Sequence, residues 1–217
     1  MAKKTLDRGV LITLEGIEGC GKTTHAKLLC EYLKSRSYDY IHTREPGGTK
    51  VGEKVRGILL DSDGIQISDL TELYLFEAAR AQIVSEVIRP NLNKKRIIVC
   101  DRFSDATFSY QGYGGKVPLK IITALDNIAA GGIKPDLTIL LDIDTLTGLK
   151  RARPKGFDRM EKKSVTYHKR VRRGYIELAR INPERIKIVK VMDKISDTQD
   201  IIRQEVEHVI QRHIRPR

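Results

Sequence analysis

The chain has 217 residues, 40% hydrophobic and 31% charged, enough to bury a sizeable core in one domain with a small appendage. No apolar run is long enough to span a membrane, the opening "MAKKTLDRGV" lacks the apolar stretch of a secretory signal, and Cys20, Cys30 and Cys100 have no metal-ligand spacing and suit a reducing cytoplasm. The net charge of +12 is lopsided, since residues 150–217 hold 20 Lys+Arg against 9 Asp+Glu and the first 149 residues hold 20 against 19; a basic lid over phosphates, a nucleic-acid face or a solvated surface would each account for it.

Short apolar runs alternate with amphipathic ones. "VLITLEG" (10–16) reads as a buried strand ending in a glycine turn, and 22–34 as a helix with Leu28, Leu29, Tyr32 and Leu33 near one face. "YIHT" (40–43) is a second strand. Residues 51–60 are helical by period, and a longer helix starts at Asp69, capped by Ser68 or Asp69, and is expected to end at Arg89, before Pro90. "RIIVC" (96–100) is a central strand, and 119–130 a helix stopped by Gly131-Gly132. "DLTILLDI" (136–143) is a strand, 146–153 a helix broken at Pro154, and 164–180 a long basic helix. "IKIVKV" (186–191) is the last strand and 198–213 the last helix. This alternation gives an α/β class with a parallel five-stranded sheet and helices on both faces, so that ligands are expected beyond the carboxyl ends of the strands.

Within "EGIEGCGKTTHAK", Gly16 to Thr23 fits G-x-x-x-x-G-K-[ST], between a predicted strand and a predicted helix. The glycines let the backbone aim N–H groups at phosphate oxygens, and the helix N-terminus adds partial positive charge. Gly16, Ile17, Glu18, Gly19, Cys20, Gly21, Lys22, Thr23 and Thr24 are therefore expected to bind the phosphates of a nucleotide, which the resemblance given below implies is ATP, with Lys22 reaching the β- and γ-phosphates and the Thr23 hydroxyl on Mg²⁺. Cys20 reads as a small loop residue rather than a reactive thiol. Asp101, at a strand end, can hold Mg²⁺ or its waters, and Arg102 beside it can brace a phosphate.

The acceptor is not named by that loop. "TREPGGT" (43–49), "LFEAARAQ" (75–82), "DRFSDATFSYQG" (101–112), "PDLTILLDID" (135–144) and "FDRMEKKSVTYHKRVRRGYIELA" (157–179), taken with "GIEGCGKTT", resemble the thymidylate kinases of the bacterial kind. The resemblance spans about residues 10–191 and implies one P-loop nucleoside monophosphate kinase domain over 1–217, a three-layer P-loop NTPase fold with a lid at about 151–165. It also implies phosphoryl transfer from ATP with Mg²⁺ to dTMP, giving dTDP for dTTP synthesis, by a cytoplasmic homodimer with no membrane or nucleic-acid partner.

Position by position, the resemblance puts Glu18 near the sugar 3′-hydroxyl, Phe76 against the thymine, Arg80 on the base O4, and Thr107 and Gln111 at the base edge. Arg44, Glu45, Arg56 and Arg102 would surround the acceptor phosphate, and Arg151, Arg153 and Arg159 would belong to a lid closing on ATP. Related enzymes carry an arginine inside the phosphate loop; here that residue is Gly19, so the basic lid must supply the charge. Lys22, Arg102 and the lid arginines would then stabilise the transition state. Where the family usually has Ser and Ala, this chain has Ala106 and Ser109, which removes a hydroxyl contact near 106. Two other readings remain open at this point: another (deoxy)nucleoside monophosphate kinase on the same fold, and a nucleotide-binding regulatory module, or a nucleic-acid binder using the basic last third, without an acceptor pocket.

Overall fold

The computed structural model describes residues 5–61, 66–152 and 158–214. Five parallel strands, β1 (Val10–Glu15), β2 (Tyr40–Arg44), β3 (Ile97–Asp101), β4 (Leu137–Asp142) and β5 (Ile186–Lys190), lie in the order β2-β3-β1-β4-β5. The sheet is closed off by helices on both faces, so the central strands need apolar side chains on both. On one face of β1, Val10, Ile12 and Leu14 join Ala26, Leu29 and Leu33 of α1 (Lys22–Ser35), Val171 and Leu178 of α8 (Val165–Ile181), and Ile202 and Val206 of α9 (Ile195–Gln211). On the other, Leu11 meets Ile98 and Cys100 of β3 and Ile83, Val84 and Ile88. β1 pairs with β3 from Val10↔Ile97 and with β4 from Ile12↔Leu137, which places the ends of β1, β2 and β3 at one edge.

Thr49 caps α2 (Lys50–Leu60) by accepting from the Gly52 N–H, and Ser68, rather than Asp69, caps α3 (Asp69–Ile83) by accepting from Thr71. The helix expected to stop before Pro90 does not stop there. It passes through a π turn, Val84–Ile88, into α4 (Arg89–Asn93), which contains Pro90. The wider turn just before the proline relieves the usual clash of its ring with the carbonyl one turn back.

A second π segment lies after β3. The short helix α5 (Ser104–Thr107) runs into a π segment, Phe108–Gly114, where Gln111-Gly112 would ordinarily signal a turn. These glycines serve close packing instead. A Cβ at Gly112 would lie 2.7 Å from Leu119 of α6 (Leu119–Ala130), and one at Gly114 would lie 2.8 Å from the Tyr167 ring of α8. Side chains of α8 also satisfy carbonyls of the wide turn: the Tyr167 hydroxyl donates to the Tyr110 carbonyl at 3.0 Å, and Arg170 Nη2 to that of Gly114 at 2.6 Å. Beneath, Asp105 accepts both Arg185 Nη1 and Nη2 at 2.7 Å, and Thr138 donates to it at 2.9 Å, which pins α5 to the sheet. No helix among the described residues is long and apolar enough to cross a membrane.

The contact between α8 and the π segment depends on Gly174, where a Cβ would meet the Tyr113 Cβ at 2.7 Å. Gly→Ala inside a helix normally stabilises by about 1 kcal/mol. Gly174→Ala should instead destabilise by about 1–3 kcal/mol, the cost of overpacking, read as a lower urea midpoint at unchanged slope.

Candidate functional site

The loop after β1 turns at Gly16, Gly19 and Gly21, all at positive φ. Ile17 and Cys20 point inward, while Thr23 and Thr24 sit exposed in the first turn of α1. The Lys22 ammonium donates to the carbonyls of Gly16 and Ile17, both at 3.0 Å. Gly19 has a specific steric reason: its φ is 69°, and a Cβ there would lie 2.0 Å from the Gly148 carbonyl of α7 (Thr145–Ala152). α7 thus rests on the loop and brings the Cβ of Arg151 beside it, with Arg151 exposed. Thr23 Oγ1 donates to Asp101 Oδ2 at 2.9 Å. A hydroxyl and a carboxylate at the phosphate loop are the hard oxygen donors Mg²⁺ takes, and it takes few from protein when phosphates supply the rest, so these residues fit the ion.

Behind the loop lies a charged cluster. Arg102, at a left-handed φ of 69°, donates from Nη1 to the Gly16 carbonyl and the Tyr175 hydroxyl, both 3.0 Å, and from Nη2 to the Tyr110 hydroxyl at 2.9 Å. Tyr110 donates to Glu18 Oε1, and His168 Nδ1 lies 3.1 Å from Glu18 Oε2. Burial alone would raise the Glu18 carboxyl, but His168, Arg102, Lys22 and Tyr110 more than reverse it, to about 2. Glu15 goes the other way. Burial pushes it up to about 7, against the opposing pull of Arg102 and of hydrogen bonds from the Tyr175 hydroxyl and the Phe103 N–H. Tyr110, Tyr175, Glu15 and His168 were not singled out from sequence as site residues; their weak signal was membership in the long quoted motifs.

A cavity of about 480 Å³ opens against the loop, lined by Glu18, Gly19, Lys22 and Thr23 on one side. Every residue expected at the acceptor, namely Arg44, Glu45, Arg56, Phe76, Arg80, Arg102, Thr107 and Gln111, lines it as well, together with Ala106, Phe103, Tyr110 and Met160. Arg44 ends β2 and Glu45 follows it, joined to Pro46 by a cis bond; Arg44 Nη2 pairs with Glu53 at 2.9 Å, and Arg56 Nη1 donates to the Pro46 carbonyl at 3.0 Å. Burial, then the neighbouring Arg44, lowers the Arg56 pKa, with Arg102 adding to the repulsion; an anion among the three would relieve it.

Arg80 is 2% exposed, yet faces the cavity. Its Nε donates to Glu45 at 2.9 Å, and its Nη1 to Glu77 at 2.8 Å and Asp126 at 3.0 Å. Burial opposes its charge; Glu45, Glu77 and Asp126 more than offset that. Burial in turn raises Glu45 to about 7 despite Arg80. The guanidinium lies 5.2 Å over the Phe103 ring.

The expected lid arginines do not come together in the same way. Arg153 lies outside the described residues. Arg159 is not brought to the phosphate loop: its Nε donates to the Leu59 carbonyl at 2.8 Å and its Nη2 to Glu72 at 2.6 Å, on the acceptor side. Ser109 is buried off the cavity.

Compared with known proteins, residues 14–202 match the family model described as Thymidylate kinase. The chain is similar to a thymidylate kinase of Symbiobacterium thermophilum, 42% identical over 206 residues that cover 95% of this chain and 96% of the relative. It is similar to one of Pelobacter propionicus, 47% identical over 184 residues covering 82% and 84%. Among solved structures, that of thymidylate kinase from Ehrlichia chaffeensis superposes with a TM-score of 0.74 at 32% identity, covering 91% of this chain and 98% of that one.

Glu15 and Glu18, shifted in opposite directions, contribute oppositely to the pH response of stability, and Glu45 adds to the contribution of Glu15. An acid that binds its proton more tightly when folded contributes stability present below its unfolded value and lost as pH rises through the folded one, which for Glu15 is about 7. Glu18, held at about 2, contributes stability lost as pH falls toward that value. Urea unfolding should therefore show stability declining between about pH 5 and 8; Glu15→Gln should lessen that decline and leave the share of Glu45, which burial also raises to about 7.

Proposed function

We propose that this chain, which belongs to the thymidylate kinase family, transfers the γ-phosphoryl group of ATP to dTMP, giving dTDP for dTTP synthesis. The observation that carries this reading is the single cavity in which the phosphate loop faces an aromatic ring, a buried guanidinium and an amide, with Arg44, Arg56 and Arg102 also on its walls.

Two polyanions must be brought end to end, and the repulsion between them is the main obstacle. Lys22 and the backbone of Gly16 to Thr24 hold the ATP phosphates. Arg44, Arg56 and Arg102 hold the phosphate of dTMP, with Glu45 anchoring Arg80. Thr23 and Asp101 would hold Mg²⁺, which supplies neutralisation of the phosphate oxygens. Arg151, on the helix that rests on Gly19, together with Arg153, adds lid charge. No general base is needed, because the acceptor phosphate has a second pKa near about 6 and is mostly a dianion at neutral pH.

Phe76 stacks on the base, Thr107 and Gln111 border it, and Glu18 lies near the sugar 3′-hydroxyl. Arg80 can only donate, so it matches O4 of thymine and opposes the amino group of cytosine. A buried polar group left unpaired costs roughly 1–3 kcal/mol, whereas one buried methyl is worth about 0.8 kcal/mol. Exposed Ile58 of α2, and Leu70 and Tyr74 of α3, support a second copy of the chain as partner, in a cytoplasmic homodimer.

A coupled ADP-release assay across dTMP, dUMP, dCMP, dGMP and AMP tests the reading. Turnover should be fastest with dTMP, within about fivefold for dUMP, and strongly reduced for dCMP; equal rates with dTMP and dCMP refute it. Lys22→Ala should lower turnover by orders of magnitude while the circular dichroism spectrum and unfolding midpoint stay near wild type.

A further inference from the structure

Glu72 sits in the first turn of α3, 2% exposed, and does not line the cavity. Its Oε1 accepts from Gln111 Nε2 at 2.9 Å, and its Oε2 accepts from Arg159 Nη2 at 2.6 Å and Lys163 Nζ at 3.1 Å. Burial would raise this carboxyl, but Lys163, Gln111 and Arg159 more than reverse it, so Glu72 is an anion.

A carboxylate only accepts hydrogen bonds, whereas a carboxamide has one donating end and one accepting end. Gln111 must therefore turn its NH₂ toward Glu72, and the reversed amide would set a carbonyl oxygen against the carboxylate. The end of Gln111 left for a ligand is its carbonyl oxygen. Arg80, on the wall of the same cavity, has only donors to offer.

We propose that Glu72 is a positioning residue for base selection: by holding the Gln111 amide in one orientation, it makes the cavity accept a pyrimidine with an N–H at position 3. A donor beside an acceptor matches the adjacent O4 and N3–H of thymine or uracil. Cytosine reverses both groups, so it is rejected twice. Arg159 and Lys163 keep Glu72 charged, and thereby keep Gln111 pointing one way. This rests on the dTMP-kinase reading and adds to it a residue that never touches substrate.

The test compares wild type, Glu72→Gln, Gln111→Ala and the double variant on dTMP, dCMP and N3-methyl-dTMP. A glutamine at 72 can donate or accept, so it frees the Gln111 amide to turn over. The ratio of kcat/KM for dTMP over dCMP should fall on the order of tenfold in Glu72→Gln, the scale of one buried group left unpaired, chiefly through KM for dTMP. In the Gln111→Ala background the same change should lower the ratio no further. N3-methylation of dTMP should cost a similar factor in wild type and little in Gln111→Ala. If Glu72→Gln slows dTMP and dCMP equally, Glu72 is only a structural anchor and the assignment is overturned. Should that variant not fold, Glu72→Asp, which keeps the charge but shortens its reach to Gln111, decides: an unchanged dTMP/dCMP ratio overturns the assignment, and a lowered ratio that disappears in the Gln111→Ala background upholds it. Wild type that fails to phosphorylate dTMP overturns the functional reading as well, whereas turnover with an unchanged ratio in Glu72→Gln overturns the assignment alone.

Discussion

A guanidinium inside a protein must find acceptors for its N–H groups, and the way Arg102 meets that demand organises the molecule. It reaches the carbonyl that opens the phosphate loop, a hydroxyl from the π segment and a hydroxyl from α8. Three parts of the chain far apart in sequence are thus tied to one charge at the end of β3. Glu18 and Glu15 stand at 3.5 and 4.0 Å, and Glu18, the carboxyl held low, is the main counter-charge of the cation. Because the group is also on the cavity wall, the interaction that orders the loop is the one a phosphate would meet.

The base side follows the same rule with a different balance. Arg80 has three carboxylates around it, more negative charge than it can neutralise, and the surplus appears as the raised pKa values of Glu45 and Glu77, with burial the leading cause of each. The arrangement fixes the fork of the guanidinium at several points, so its direction toward the cavity is set before any ligand arrives. At the phosphate side the cations crowd one another, while at the base side a cation is held by acids. That contrast would suit one cavity to an anion at one end and a neutral ring at the other.

The strands and most helices were legible because β-branched runs and amphipathic periods report burial directly, and the glycine pair 131–132 ended α6 as read, with Gly131 at φ 55°. The phosphate loop was legible because its chemistry needs contiguous residues. What sequence hid was what depends on a neighbour's shape. Gly112 and Gly114 carry a turn signal, yet they are small so that α6 and α8 can press against a wide helical turn. Pro90 carries a stop signal, yet a π turn just before it lets the helix continue. Tyr110, Tyr175 and His168 are ordinary residues one by one, and their meeting around Glu18 and Arg102 exists only after folding. Arg159 shows the reverse case: a basic residue in a basic stretch, expected over ATP, is bound to Glu72 on the acceptor side.

The contact between Gly19 and Gly148 limits how such an enzyme can be rebuilt. A side chain at 19 would collide with a backbone carbonyl rather than with a movable tip, and a Cβ at 148 would lie 2.5 Å from the carbonyl of Glu18. Relocating the lid's positive charge into the loop is therefore not a one-residue edit. It requires the helix bearing Arg151 to lift away first, so the two placements of that charge belong to two backbones, with no half-way design between them.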